Sequence, residues 1–182
     1  TPGDATITNC VFSNNFAARA ADGNAGPDGG SPIRGGGAIF NNGSAPVLSF
    51  LTIVNNSTDD SYSYNGFGVG SGALYTWNAD TVLTNSIVYG NSSGLLHQAE
   101  AGNLTALAVT FSDIEGGFAG AGNIDDDPLL GNGDYTALLG ASIGGYVPAL
   151  GSPVVNAADP NVGGDDLLGV GQILELHAVL NL

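Results

Sequence analysis

A single-stranded, right-handed parallel β-helix is the fold this sequence predicts, and three observations carry that prediction. A nine-residue pattern recurs at 7–15 (ITNCVFSNN), 48–56 (LSFLTIVNN) and 83–91 (LTNSIVYGN), with a weaker copy at 109–117 (VTFSDIEGG). Each copy closes on a turn-forming pair, Asn14-Asn15, Asn55-Asn56, Gly90-Asn91 or Gly116-Gly117. The second and third copies also extend backwards in register, Gly37-Ala38-Ile39-Phe40 matching Gly72-Ala73-Leu74-Tyr75 at a constant offset of 35 residues. Short apolar strands with Asn and Gly corners at such a spacing are how a coil of a parallel β-helix reads, because one coil cannot bury its own apolar face and must stack on the next.

Taken in order, residues 1–16 form the first coil, and 17–36 is an excursion rich in Gly, Ala, Asp and Pro. Two strand segments follow, 38–40 and 47–54, joined by the turn signal Asn41-Asn42-Gly43-Ser44. A second excursion at 57–71 carries Tyr62, Tyr64 and Phe67. Residues 74–77 and 82–89 rebuild the strand pair, and 104–111 leads into the weak copy. The coils thus occupy 1–120, and their spacings of 41, 35 and 26 residues imply loops that shorten along the axis toward one sloping face. Residues 121–182 contain no further copy of the pattern and are expected to form an irregular C-terminal coil and cap over the last turn.

Alternation within the repeat separates core from surface. Ile7, Leu48, Leu83 and Val109 fall in one column, and Phe12, Ile53, Val88 and Ile114 in another. Thr8, Ser49, Thr84 and Thr110 stand beside the first column, where strand hydroxyls pair across neighbours. Asn15, Asn56 and Asn91 form a corner column, and stacked Asn side chains there are expected to bond along the axis. Cys10, the single cysteine, takes the place filled by Leu51, Ser86 and Ser112, so it reads as a small buried side chain and not as half of a disulfide or as a nucleophile.

Charge limits the partners. The formal net charge is -15, with Arg19 and Arg34 as the only cationic residues besides two histidines and no Lys anywhere. Such a field repels phosphate backbones and excludes nucleic acid as a partner. No run approaches the roughly 18 apolar residues that cross a bilayer, so no membrane insertion is expected. The start at Thr1-Pro2-Gly3, without Met, is that expected of a processed or trimmed chain.

The C-terminal part carries Gly122-Asn123-Ile124-Asp125-Asp126-Asp127-Pro128-Leu129-Leu130, then Tyr135, then Gly151-Ser152-Pro153-Val154-Val155-Asn156-Ala157-Ala158-Asp159, and last Asp166-Leu167-Leu168-Gly169. In this order, and with the GGAIFNN and LTNSIVYGN stretches upstream, the chain resembles secreted bacterial β-helix proteins of the pectate-lyase-like superfamily, particularly the choice-of-anchor Q domain proteins. That family usually ends in an arginine-rich stretch and an aspartate-isoleucine-glycine-aromatic-glutamate tail; here Leu174-Glu175-Leu176-His177-Ala178-Val179 stands instead. The resemblance implies an extracellular or cell-surface β-helix and implies no reaction, since the fold serves enzymes, adhesins and stalks alike.

Chemistry is sparse. A polysaccharide lyase needs cationic groups beside a uronate, and Lys is missing. Glycoside hydrolysis needs two carboxylates flanking the bond, for which Asp59-Asp60 with Asp28, or Asp113 with Glu115, are the available pairs. His97 and His177 are framed by no nucleophile motif. Hard oxygen donors at Asn123, Asp125, Asp126, Asp127 and Asp134 form a candidate Ca²⁺ site, and Asp159, Asn161, Asp165 and Asp166 a second group, neither with EF-hand spacing. Tyr62, Tyr64, Tyr75 and Trp77 are candidate stacking platforms for surface glycans. Among five sequons, Asn42 and Asn103 lie on turn or loop ground and are the candidate glycosylation sites, whereas Asn56 and Asn91 belong to the corner column. The function expected is a non-catalytic extracellular structural or adhesive module, self-associating head to tail into surface filaments; the alternative is a carbohydrate-binding or polysaccharide-degrading β-helix protein.

Overall fold

The computed structural model describes residues 4–17, 36–58, 71–92, 95–98, 106–131, 145–149, 152–155 and 157–161. Its strands are β1 Thr6–Thr8, β2 Val11–Ser13, β3 Phe16–Ala17, β4 Ile39–Asn42, β5 Val47–Ser49, β6 Thr52–Val54, β7 Ser57–Thr58, β8 Leu74–Trp77, β9 Thr81–Thr84, β10 Ile87–Tyr89, β11 Leu95–Gln98, β12 Leu107–Thr110 and β13 Asp113–Ile114. No helix occurs among the described residues. The strands stack in the order β1-β5-β9-β12 on the first sheet, β2-β6-β10-β13 on the second and β4-β8-β11 on the third, with β3-β7 as a small fourth. All of these pairings are parallel. The chain is a single-stranded parallel β-helix.

Register places the repeat columns where the sequence pattern puts them. Ile7 pairs with Leu48, Leu48 with Leu83 and Leu83 with Val109. Phe12 pairs with Ile53, Ile53 with Val88 and Val88 with Ile114. The third sheet pairs Phe40 with Tyr75, as the 35-residue offset requires. The core is built from Leu48, Leu51, Ile53, Ala73, Leu74, Leu83, Val88, Val109 and Ile114, all nearly or fully buried, and each large member contributes about 1.5–3 kcal/mol of apolar burial. Ile7, Cys10 and Phe12 of the first coil pack against this cluster only partly buried. Cys10 is therefore half-buried rather than buried, because no coil covers it on the N-terminal side among the described residues.

The expected long strands 47–54 and 82–89 are each broken in two. The break is a single residue in the left-handed region, Phe50 (φ 53°) or Asn85 (φ 51°), and Asn9 (φ 54°) and Phe111 (φ 48°) take the same place in the outer coils. Asn tolerates this conformation because its short polar side chain bonds locally, whereas Phe does not favour it. Phe50 and Phe111 are held there by backbone bonds to the neighbouring coil, Phe50 N–H to Thr84 O at 3.2 Å and Phe111 N–H to Ala121 O at 2.8 Å. The turn expected at 41–44 begins later, at Gly43 (φ 74°), because Asn41 and Asn42 still belong to β4.

Two polar ladders tie the corners together. At the corner after the second sheet, the backbone N–H and Nδ2 of Asn15 both donate to Asn56 Oδ1, at 2.9 and 2.8 Å. Those of Asn56 donate in the same way to Asn91 Oδ1, at 2.9 Å each. The Nδ2 groups of Asn56 and Asn91 also donate to Phe12 O (3.0 Å) and Ile53 O (2.7 Å). At the corner before the second sheet, Leu51 N–H donates to Ser86 Oγ, Ser86 N–H to Ser112 Oγ and Ser112 N–H to Asn123 Oδ1, each at 3.1 Å. Each ladder satisfies backbone donors that a bent strand leaves without a sheet partner.

Candidate functional site

The second sheet carries the most specialised surface of the molecule. Along β6, Ile53 faces the core, so Thr52 and Val54 point outward, yet they are only 5% and 2% exposed. The C-terminal segment bonds to this sheet at Asp113. It first completes the stack, Ile124 bridging to Asp113 and Asn123 taking the next rung of the serine ladder. Its described residues beyond this point, 125–131, 145–149, 152–155 and 157–161, bond back to the first, third and fourth coils instead of only closing the end.

Three bonds fix this strap at well-separated points. Asp126 N–H donates to Asp113 Oδ1 (3.1 Å) in the fourth coil. Asn14 Nδ2 donates to the Tyr146 hydroxyl (3.0 Å) at the far corner of the first coil. Asp159 N–H donates to Asn85 Oδ1 (2.7 Å) at the near corner of the third. Internally the strap is held by a short antiparallel bridge between Leu130 and Pro148, and by the buried Ser152 hydroxyl donating to Pro128 O at 2.8 Å.

Beneath the strap lies Asp113. It occupies the outward column of Val11, Thr52 and Ile87 and is only 3% exposed. Its Oδ1 accepts the Asp126 N–H, and its Oδ2 is buried with no hydrogen-bond partner. Burial raises its carboxyl to about 6; the Asp126 N–H opposes this, and the charges of Asp126, Asp125 and Asp127 add to it. The same environment pushes the Tyr89 hydroxyl above its ordinary value, through desolvation first and then the carboxylates of Asp127, Glu115, Asp113 and Asp125. No Lys or Arg lies among the described residues, since Arg19 and Arg34 both fall outside them.

The candidate calcium donors are occupied with structural work. Asn123 Oδ1 accepts from Ser112, and its Nδ2 donates to Val109 O and Phe118 O at 3.0 Å each. Asp125 Oδ1 accepts Gly116 N–H (3.0 Å) and Asp127 Oδ1 accepts Leu129 N–H (2.9 Å), while the backbone of Asp126 binds Asp113. Among the described residues, no three His, Cys, Asp or Glu side chains converge to hold a metal ion. Asp134 lies outside the described residues, as do Asp165 and Asp166; Asp159 Oδ1 accepts both nitrogens of Asn161. Of the carboxylate pairs, Asp28, Asp59 and Asp60 lie outside, Asp113 is covered, and Glu115 Oε2 accepts Gly90 N–H at 2.7 Å.

On the third sheet, Tyr75 is buried (2% exposed) with its ring stacked on Phe40, centroids 5.5 Å apart and planes at 13°. Phe40 is 38% exposed and Trp77 half-buried, so they form the accessible aromatic surface of this sheet. Tyr62, Tyr64 and Asn103 fall outside the described residues. Asn42 is exposed at the end of β4, whereas Asn56 is buried in its ladder.

The strap and the covered carboxyl escaped the sequence reading. One signal for them was legible: Asp113 is an acid in a strand column otherwise filled by Val, Thr and Ile. Comparison with known protein families, characterised proteins and solved structures found no match.

Proposed function

We propose that this chain is a non-catalytic, extracellular structural or adhesive β-helix module that associates end to end through its first coil. The observation that carries the reading is the half-burial of Ile7, Cys10 and Phe12, set against 0–1% exposure for Leu48, Leu51 and Ile53 in the same columns. Strands β1 and β2 stand at the ends of their sheets, and an edge strand above an incompletely covered core is a template for further pairing. The occupant we assign is a second copy, whose apolar run at 173–180 (ILELHAVL) covers the first coil. Such a contact is heterologous and repeats along a line. The covered Asp113, the structurally engaged acids and the shortage of cations support a non-catalytic role.

Each copy carries a net charge of -15, so association opposes strong repulsion and should grow as salt screens it. Sedimentation or light scattering over a range of concentrations, at low and high ionic strength, tests the reading. Mass rising with both is expected. A constant mass of 18.1 kDa at every concentration and salt level would overturn it. A carbohydrate-binding role is the second reading, favoured by the exposed Phe40 and half-buried Trp77 on one sheet face; glycan-array binding lost on Trp77→Ala is its test.

A further inference from the structure

The outward face of the first sheet takes part neither in end-to-end assembly nor in the aromatic surface of the third. Ile7, Leu48, Leu83 and Val109 pack into the core, so their neighbours along each strand point outward. Those neighbours form two rows along the axis. Thr6, Val47, Val82 and Ala108 make the first, and Thr8, Ser49, Thr84 and Thr110 the second, each residue paired in register with the next. The first row is exposed throughout, Val47 and Val82 at 42% each. Apolar side chains that are contiguous on a surface, and not scattered singly, mark a contact face. In the second row Ser49 Oγ donates to Thr8 Oγ1 and Thr110 Oγ1 to Thr84 Oγ1, at 3.2 Å each, which holds the hydroxyls in line. Each hydroxyl keeps capacity for a further bond toward solvent.

The chemistry of the face narrows what can lie against it. Neither row holds a charged side chain, on a chain of net charge -15. The acids beside it, Asp4 and Asp80, are engaged at the strand starts, their Oδ1 atoms accepting Ala45 N–H (3.2 Å) and Ala106 N–H (2.8 Å) of the neighbouring coils. Neither row holds an aromatic ring on which a sugar could stack. What remains is a two-dimensional grid of methyl and hydroxyl groups, about 4.7–4.9 Å apart from strand to strand and about 6.6–6.8 Å apart from row to row. Water oxygens on the prism faces of hexagonal ice repeat at spacings close to both. Methyl groups restrict the water beside them, and hydroxyls fix single waters by hydrogen bonds. From this placement we propose that the outward face of the first sheet binds ice, its two rows holding water where the crystal lattice continues. Each coil adds one pair to the grid: Thr6 with Thr8, Val47 with Ser49, Val82 with Thr84, Ala108 with Thr110. Ice contact through this face requires no contact between copies, so it stands or falls separately from end-to-end assembly.

Slow growth of ice on a cold finger, from a dilute solution of the whole chain mixed with serum albumin, tests the proposal. The chain is expected in the ice fraction, and albumin in the remaining liquid. Val82→Lys and Ala108→Lys each put a long charged side chain on an exposed position of the first row. Both should abolish uptake while unfolding in urea near the wild-type midpoint, and Ala108→Lys gives the reading alone should Val82→Lys fold poorly. Val11→Lys makes the same change of charge on the second sheet and should be taken up as the wild type is. Exclusion of the wild type along with albumin would overturn the proposal. So would full uptake of a folded first-row variant, or loss of uptake in Val11→Lys. Binding of the wild type to crystalline cellulose or chitin without uptake into ice would also overturn it and assign the face to a polysaccharide.

Discussion

The first and last coils place the same kinds of side chain in the same columns and bury them differently. At the C-terminal end, Val109 and Ile114 are each 2% exposed. Residues 118–124 cover them: Phe118 packs on the core, Ile124 bridges to Asp113, and Asn123 ends the serine ladder. The fit there is close, since a Cβ on Gly120 would lie 1.9 Å from Val109 O and 2.6 Å from Asn123 Nδ2. At the other end Ile7 and Phe12 are only partly buried, Val11 is 51% exposed and Phe16 64%. The repeat dictates which side chains point inward, but burial comes from the neighbouring coil. Among the described residues, one end of this stack is covered by residues 118–124, and at the other the core columns are only partly covered.

The sharpest break of that contrast is at the asparagine ladder. Asn56 is 1% exposed and takes part in four side-chain hydrogen bonds besides one from its backbone. Asn56→Ala leaves buried donors and acceptors without partners and should cost roughly 3–4 kcal/mol. Asn15, exposed in the first coil, contributes one rung, and Asn15→Ala should cost about 1 kcal/mol. Urea unfolding of the two variants checks the ratio; equal losses would mean that the ladder is not cooperative along the axis.

Next in size is the core column. Ile53→Ala removes a fully buried side chain enclosed by coils on both sides, for about 3 kcal/mol. Phe12→Ala removes a larger side chain one coil away but only partly buried, and should cost about half as much. If Phe12→Ala proves as damaging as Ile53→Ala in solution, the first coil is already covered, and a loss that grows with protein concentration would identify the cover as a second copy.

What was legible in the sequence follows the same division. The columns of Leu48 and Ile53, the Asn15–Asn56–Asn91 ladder and the Phe40–Tyr75 register were readable because each recurs in successive coils. The strap was not, because Asn14–Tyr146 and Asn85–Asp159 are single contacts between residues 132 and 74 positions apart, with no repeat to announce them. Asn123 reads equally well in sequence as an oxygen donor for a cation and as the next rung of a ladder; the ladder rung shows only in its bonds to Ser112 and Val109. Asp113 could be seen as an acid in an apolar column, but its burial depends on chain that returns from beyond the repeats.

The smallest expected effect on stability separates folding from assembly. Val11 lies on edge strand β2 and is half-exposed, while Thr52, beside it in register on β6, is buried. Val11→Lys places a charge on an exposed edge without opening a cavity, so the monomer's stability should change by no more than about 0.5 kcal/mol. Lys on an edge strand blocks the approach of another strand, since its charge would have to be desolvated at the new interface. The variant should therefore unfold at nearly the wild-type midpoint under dilute conditions and fail to gain mass at high concentration and salt. Lys also lowers the net negative charge, which by itself favours association, so the expected loss runs against the electrostatic trend. A Val11→Lys variant that associates as well as wild type would move the contact away from β2 and leave the exposed first coil with no part in assembly.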